Sequence, residues 1–350
     1  MKLLVVADGH YYIDNRGNVY VESVFDYNFY KRYLTVFDEV YAIARTERIE
    51  EKTEKMKIAS GQGVHFLTIP PTRGVKQYVL SFFRTRKLIK KYLKEFECAI
   101  FRVPGVVANL ASSLYIKTKK PFAIEVVVEP WEYFAKGTID GFTRPFVRCI
   151  WTYNLKKICK KANGVSYVTN NYLQKKYPCN SNAFTTSYSS VELADDKFAE
   201  PRKYKKKDKY IISHVANAFT GYGKGHIVLM DALKIVLDKG YNVDIWFVGD
   251  GPKRKEFEEY AVKLGIDMNV TFYGRLSSGE LVREVISNSD MFVFPTKAEG
   301  LPRVLLEAMA EGLPAISSPV CGIPEILDDN CMVDFNDSEG YARSIMQMID

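Results

Sequence analysis

The sequence predicts a two-domain α/β protein built on parallel sheets. Three observations carry this. Short apolar runs alternate with longer amphipathic segments. The alternation breaks at one charged stretch and then restarts. And 350 residues exceed the roughly 100–200 expected of a single domain. Short buried runs separated by helical patterns fit a mostly parallel sheet covered on both faces, because parallel strands need crossover connections.

In the first half, LLVVA (3–7), EVYAIA (39–44), HFLTI (65–69), CAIFRV (98–103), FAIEVVV (122–128) and GVSYVT (164–169) read as buried strands. Helical patterns lie between several of them, as at 76–96 and 142–161. In the second half, YIISHVA (210–216), VDIWFVG (243–249), VTFYG (270–274), MFVFP (291–295) and AISS (315–318) are the strands. Helices are expected over 225–239, 253–264 and 278–288, with a last one from Asp337. Gly240 and Gly265 stop the first two, as glycine does just past a helix end. The segment 194–209, ADDKFAEPRKYKKKDK, is polar, charged and holds Pro201. It reads as the connection between an N-terminal domain, 1–193, and a C-terminal domain, 210–350. Its lysines fit either a solvated linker or a phosphate or membrane patch.

Composition narrows the class. With 47% hydrophobic and 13% aromatic residues, the chain can bury two cores. A formal net charge of +7 admits phosphate-bearing ligands, anionic lipid or nucleic acid. Six scattered cysteines without a CxxC pair argue against zinc or redox motifs and fit a reducing cytoplasm. The start, MKLLVVADGH, is too quickly polar for a signal peptide. No apolar run nears the ~20 residues of a membrane span.

Open parallel sheets bind ligands beyond the carboxyl ends of their strands, so the loops there are where a site is expected, in a cleft between the two halves. HVANAFTGYGKGH (214–226) is glycine-rich and puts Lys224 beside a helix start. Amides, a helix N-terminus and a lysine suit phosphate, though a plain flexible loop fits too. VGDGP (248–252) closes a strand with a turn signature. AEGLPRVLLEAMAEGLP (298–314) places Glu299 at a helix entrance and Glu307 inside the helix. Pro302 suits the first helical position and Gly312 the stop. Arg303 and Glu307, four apart, share a face. Those residues alone fit a ligand site or a helix-entry carboxylate with a surface ion pair.

EGLPRVLLEAMAEGLPAISSPVCGIPEIL (299–327) resembles the nucleotide-sugar signature of retaining glycosyltransferases of family 4, which have the GT-B fold. The resemblance runs over roughly 210–330. It includes Lys224–Gly225, the GDGP of 249–252 and FYGRLS (272–277). In the first half, IEVVVEPWEYF (124–134), NGVSYVTNNYLQKKYP (163–178) and SYSSVEL (187–193) are similar to acceptor-domain segments of polysaccharide-building members. The resemblance implies two Rossmann-like domains whose parallel sheets face a central cleft.

It also implies roles. A nucleoside-diphosphate sugar is the donor, with no other cofactor. Lys224 neutralises the diphosphate, with Gly223 beside it. The Gly300 and Leu301 amides, ahead of Pro302, meet diphosphate and sugar. Glu307 holds the ribose, Glu299 contacts the donor sugar, Gly249 lines the site, and Arg275 and Leu276 border the base. Lys224 and Glu299 are the catalytic candidates. No DxD pair ends a strand, so no metal is expected. Family members carry an arginine five residues before the lysine, where this chain has Phe219; Arg303 is a candidate replacement. The usual acceptor-side histidine is absent near EPWE, leaving Glu129 and Trp131. Asp8, Gly9 and His10, after the first strand, are further acceptor-side candidates. Relatives usually continue into a helix returning to the first domain, so this chain is expected to be truncated or short.

The implied partners are a nucleotide sugar and a glycan or lipid-linked acceptor. The helical patterns 76–96 and 142–161 are basic and aromatic. They fit either packing on a sheet with a solvated face or contact with anionic membrane. Cytoplasm, at the inner membrane face, is the expected location. A nucleotide-sugar epimerase on the same scaffold is the alternative function. A basic nucleic-acid-binding protein is the non-enzymatic rival, and the absence of any RRM, KH or zinc-finger signature argues against it.

Overall fold

The computed structural model describes residues 1–350 except 73, 137, 139–142, 190, 192, 201, 203 and 204, and only the backbone of 75 and 76. The described residues form two compact units. One comprises Met1–Val127, Ile150–Tyr167 and Gln174–Ser187; the other comprises Val128–Cys149, Val168–Leu173 and Tyr188–Asp350. Segments 128–149 and 168–173, read above within 1–193, group with the later residues.

The first unit is built on ten strands. They are β1 (Lys2–Val6), β2 (His10–Ile13), β3 (Val19–Val21), β4 (Glu39–Arg48), β5 (Lys57–Ile58), β6 (Val64–Ile69), β7 (Cys98–Val103), β8 (Phe122–Val126), β9 (Gly164–Tyr167) and β10 (Phe184–Ser187). The order is β10-β9-β8-β7-β1-β4-β2-β3-β5, with β6 also on β4. From β10 to β4, and on to β6, pairing is parallel. β1 is buried over four of its five residues, as a central strand covered on both faces must be. The β2–β3 hairpin adds antiparallel pairing that the sequence reading does not include. Its turn is local chemistry: the Asp14 carboxylate accepts the Arg16 and Asn18 amides, and Gly17 is left-handed at φ 84°. Helices α1 (Tyr27–Lys31), α2 (Gly74–Leu93) and α3 (Val106–Tyr115) belong to this unit, α4 (Pro130–Tyr133) to the other. α5 (Arg144–Cys159) and α6 (Tyr172–Lys176) each span a boundary of the two groupings. The expected helix start at 142 lies outside the described residues.

The second unit has five strands: β11 (Tyr210–Ala218), β12 (Val243–Asp250), β13 (Val270–Gly274), β14 (Met291–Phe294) and β15 (Ala315–Ser317). All pair in parallel, in the order β13-β12-β11-β14-β15. Helices α7 (His226–Asp238), α8 (Arg254–Leu264), α9 (Gly279–Ser287), α10 (Arg303–Ala310) and α11 (Ser338–Ile349) complete it. The chain steps outward from β11 to β13, then returns to β14 on the other side of β11. The reversal leaves a switch point between β11 and β14, the place where doubly wound sheets bind ligands. Leu233, Phe247, Phe257 and Ile345 are among the side chains filling the core below it.

The connector is not loose. Arg202 donates from all three guanidinium nitrogens to the carbonyls of Glu311, Ser289 and Ser287, at 2.8–2.9 Å. The Ala199 amide bonds the Ala310 carbonyl, and Lys207 and Lys209 pair with Asp290 and Asp244. These contacts fasten Ala199, Arg202, Lys207 and Lys209 to the second unit, while most described residues of 194–209 stay exposed; Pro201 lies outside the described residues.

Candidate active site

The loops after β11 and β14 meet at the switch point and lock together. The Lys297 amide donates to the Gly223 carbonyl at 2.9 Å, and the Thr296 hydroxyl reaches it at 3.4 Å. Gly225 is left-handed at φ 69°, and a Cβ there would fall 2.4 Å from Pro295. Only glycine allows this approach. It fixes Lys224, one residue earlier, against the end of β14.

Lys224 and Glu299 are therefore brought together, and they form an ion pair. Glu299 is mostly buried, while Lys224 is about a third exposed. The Thr296 hydroxyl lies 3.4 Å from the same carboxylate, and the ammonium sits 5.5 Å from the Phe294 ring centre. Two groups expected from sequence to act on one ligand thus hold each other.

Gly300 is buried, and its carbonyl accepts the Gly322 amide at 2.9 Å. Leu301 follows it, partly exposed. Pro302 is the N-cap rather than the first helical residue: its ψ of 116° is extended, so α10 begins at Arg303. Gly312, at φ 68°, ends the helix as expected. Arg303 and Glu307 lie 3.9 Å apart on successive turns. The Arg303 Nε is buried without a hydrogen-bond partner among the described residues. Burial raises the Glu307 carboxyl above its ordinary value, and Arg303 and Arg283 oppose the rise.

Gly249 packs on β11; at φ 133°, a Cβ would sit 1.7 Å from the Ala216 carbonyl oxygen. Arg275 is exposed. Leu276 lines a shallow pocket with Trp246, Tyr273, Leu281, Glu284, Val285 and Asn288. Phe219, at the position of the missing arginine, is fully buried, 4.3 Å from the His226 ring and 5.9 Å from Phe257. That position is core here.

The acceptor-side candidates divide between the units. Asp8 is largely buried and caps α3: it accepts the Val107 amide at 3.0 Å, the Ala108 amide at 3.2 Å and an Arg45 nitrogen at 3.2 Å. Burial raises its carboxyl against those donors. Gly9 abuts the Tyr11 ring, and His10 is exposed at the start of β2 opposite Arg45. Glu129 is fully buried and caps α4, accepting the Trp131 amide at 3.0 Å and the Glu132 amide at 2.5 Å. Trp131 is 39% exposed, with the Arg148 guanidinium 3.8 Å from its ring centre.

Two residues the sequence reading passes over stand here. Cys321 is buried with φ 51°, rare for a non-glycine residue. Burial pushes its thiol up to about 12, while a hydrogen bond from the Glu299 backbone opposes this. Its adjacency to GIPEI was the available signal. Glu325 of that motif accepts the amides of Asn170, Asn171 and Tyr172 at 2.5–3.0 Å, anchoring 168–173. All six cysteines are free. Among the described residues, no helix is long and apolar enough to cross a membrane.

Residues 196–350 match the family described as Glycosyl transferases group 1. Protein CapJ of Staphylococcus aureus is 29% identical over 325 residues, 92% of this chain and 80% of that protein. The structure of WaaG, a glycosyltransferase involved in lipopolysaccharide biosynthesis, superposes with a TM-score of 0.65 at 15% identity, covering 99% of this chain and 90% of that one. That of S. aureus TarM in complex with UDP gives 0.57 at 15% identity, covering 76% and 52%. The two-domain fold is that of the GT-B enzymes, and the family match supports a glycosyltransferase.

Proposed function

We propose that this glycosyltransferase moves a sugar, with retention, from a UDP- or GDP-sugar to a glycan or lipid-linked glycan in cell-surface polysaccharide synthesis. The first domain would bind the acceptor and the second the donor. The observation that carries the reading is the Lys224–Glu299 pair at the β11/β14 switch point, beside the start of α10. Cleaving the anomeric bond puts negative charge on the leaving diphosphate and positive charge on the sugar ring. A lysine and helix-end amides stabilise the first, a carboxylate the second.

In this reading the donor diphosphate replaces Glu299 as the partner of Lys224, and Glu299 turns to the sugar. Gly300 and Leu301 present the amides ahead of α10. Glu307 binds the ribose, with Arg303 between it and the diphosphate. WaaG's role in lipopolysaccharide synthesis and the UDP bound to TarM favour such a donor and a glycan acceptor. The family match favours transfer over epimerisation. A lipid-linked acceptor would place the enzyme on the inner face of the membrane.

A thermal-shift series with UDP, GDP, ADP and their sugars tests the donor. One nucleotide class should raise Tm in the wild type and not in Glu307→Ala. No shift with any nucleotide would remove the reading.

A further inference from the structure

The second sheet is covered unevenly. α9 runs back from β13 to β14 and packs on β11. On that face the outer strands β12 and β13 are left partly bare. Side chains alternate along a strand. Phe247 and Phe272 stack in the core, 5.2 Å apart, so their neighbours Trp246 and Tyr273 point the other way. The Trp246 and Tyr273 rings meet edge to face, with centres 5.6 Å apart, and Tyr273 is 40% exposed. Between this pair and α9 runs a groove of about 460 Å³, bordered also by Leu276, Leu281, Glu284 and Asn288. That volume is in the range of small-ligand sites. From Leu281 to Asn288 the groove follows two turns of helix, about 10 Å.

The polar groups of this groove are open. Among the described residues, the Trp246 indole N–H, the Tyr273 hydroxyl and the Glu284 carboxylate make no hydrogen bond or ion pair. The Asn288 side-chain nitrogen donates to the Glu284 carbonyl at 2.8 Å. Among the described lining residues there is no Lys or Arg, and the single charge is negative. A nucleotide or nucleic acid would bring its phosphates to that charge with no cation to offset them. The lining suits a neutral ligand instead. It needs hydroxyls for the carboxylate and amide, and flat C–H faces for the rings. A chain of sugar units has both, and two helical turns are longer than one sugar ring.

We propose that this groove binds a neutral oligosaccharide, its rings against Trp246 and Tyr273 and its hydroxyls donating to Glu284. The inference goes beyond the proposed reaction and does not depend on it. Lys224 and Glu299 stand on the loops after β11 and β14, and Leu276 alone is shared with the expected base site. In the proposed function, such a second hold would keep a growing glycan at high local concentration around the enzyme.

Saturation-transfer NMR and tryptophan fluorescence of the full chain test it, with maltotriose, cellotriose and tri-N-acetylchitotriose set against trigalacturonate. At least one neutral trisaccharide should bind and shift the emission, and the acidic one should not. Trp246→Phe should abolish the emission shift. Tyr273→Ala and Glu284→Ala should each weaken binding about tenfold. Glu284 is exposed, so an unchanged Tm confirms that this variant folds. Saturating UDP should leave trisaccharide binding unchanged, and the Glu284 variant should keep the wild-type thermal response to nucleotides. Failure of the groove and failure of the donor reading are thereby told apart. Binding of no neutral trisaccharide, equal binding by every variant, displacement by UDP, or a dimer in light scattering that Tyr273→Ala dissolves would each overturn the proposal.

Discussion

Lys224 and Glu299, on loops 75 residues apart in sequence, neutralise one another at the switch point of the second sheet. In the proposed function, the donor diphosphate would compete with Glu299 for the lysine. Glu299→Gln should leave UDP affinity equal to or tighter than wild type while kcat falls roughly a hundredfold, since it removes a group acting on the sugar. Lys224→Ala should weaken UDP and lower kcat together. Isothermal titration with steady-state kinetics separates the two. Parallel losses of UDP affinity in both variants would contradict the competition.

The proposed ribose-binding role of Glu307 calls for its carboxylate form, and burial raises its carboxyl above its ordinary value. Lowering pH toward that range protonates it, so UDP affinity should fall earlier than an ordinary glutamate would predict. Glu307→Gln should cost about tenfold to a hundredfold in Kd at pH 7.5. The difference between the two proteins should then shrink as pH drops. Calorimetric titrations from pH 8 to 5 read this directly.

His214 and His226 lie fully buried in an aromatic cluster, where His226 stacks on Phe257 at 4.5 Å. The His214 Nδ1–H donates to the Val293 carbonyl at 2.9 Å. Burial lowers the His214 imidazole to about 4 and holds His226 well below its ordinary value, aided by His214 and Lys224. Both are neutral when folded and ordinary when unfolded. Their contribution to stability is thus full above pH 6.5 and is lost as pH falls below it, for His214 through about 4. For His214 the loss approaches about 3 kcal/mol by pH 4. Replacing His226 by Phe should hold or raise Tm at pH 7.5 and flatten the acid slope between pH 6.5 and 5. An unchanged slope would count against a neutral buried His226.

Asp8 caps α3 and pairs with Arg45. Asp8→Ala should cost about 2–3 kcal/mol in chemical denaturation, from the lost cap and an orphaned arginine. UDP affinity should not move. If instead Tm stays and acceptor KM rises, Asp8 serves the acceptor rather than the helix.

Much of the architecture was legible because strand and helix periodicity depend on burial alone. The runs at 98–103 and 270–274 appear as strands with those bounds. The β2–β3 hairpin was missed because its strands are short and its turn rests on one aspartate. The candidate loops could be named from AEGLPRVLLEA and GKG, since glycine, proline and acid positions are chemically constrained. The Lys224–Glu299 pairing could not, because nothing local records which loops meet. The capping work of Asp8 and Glu129 was likewise hidden: a carboxylate reads the same whether it faces substrate or a helix end.

Arg202 draws together the carbonyl ends of two helices, at Ser287, Ser289 and Glu311. Where one cuts the chain therefore matters. A fragment begun at Tyr210, the first residue of β11, would strip this fork and leave three carbonyls facing water or each other. One begun before Ala194 would carry its own fastening.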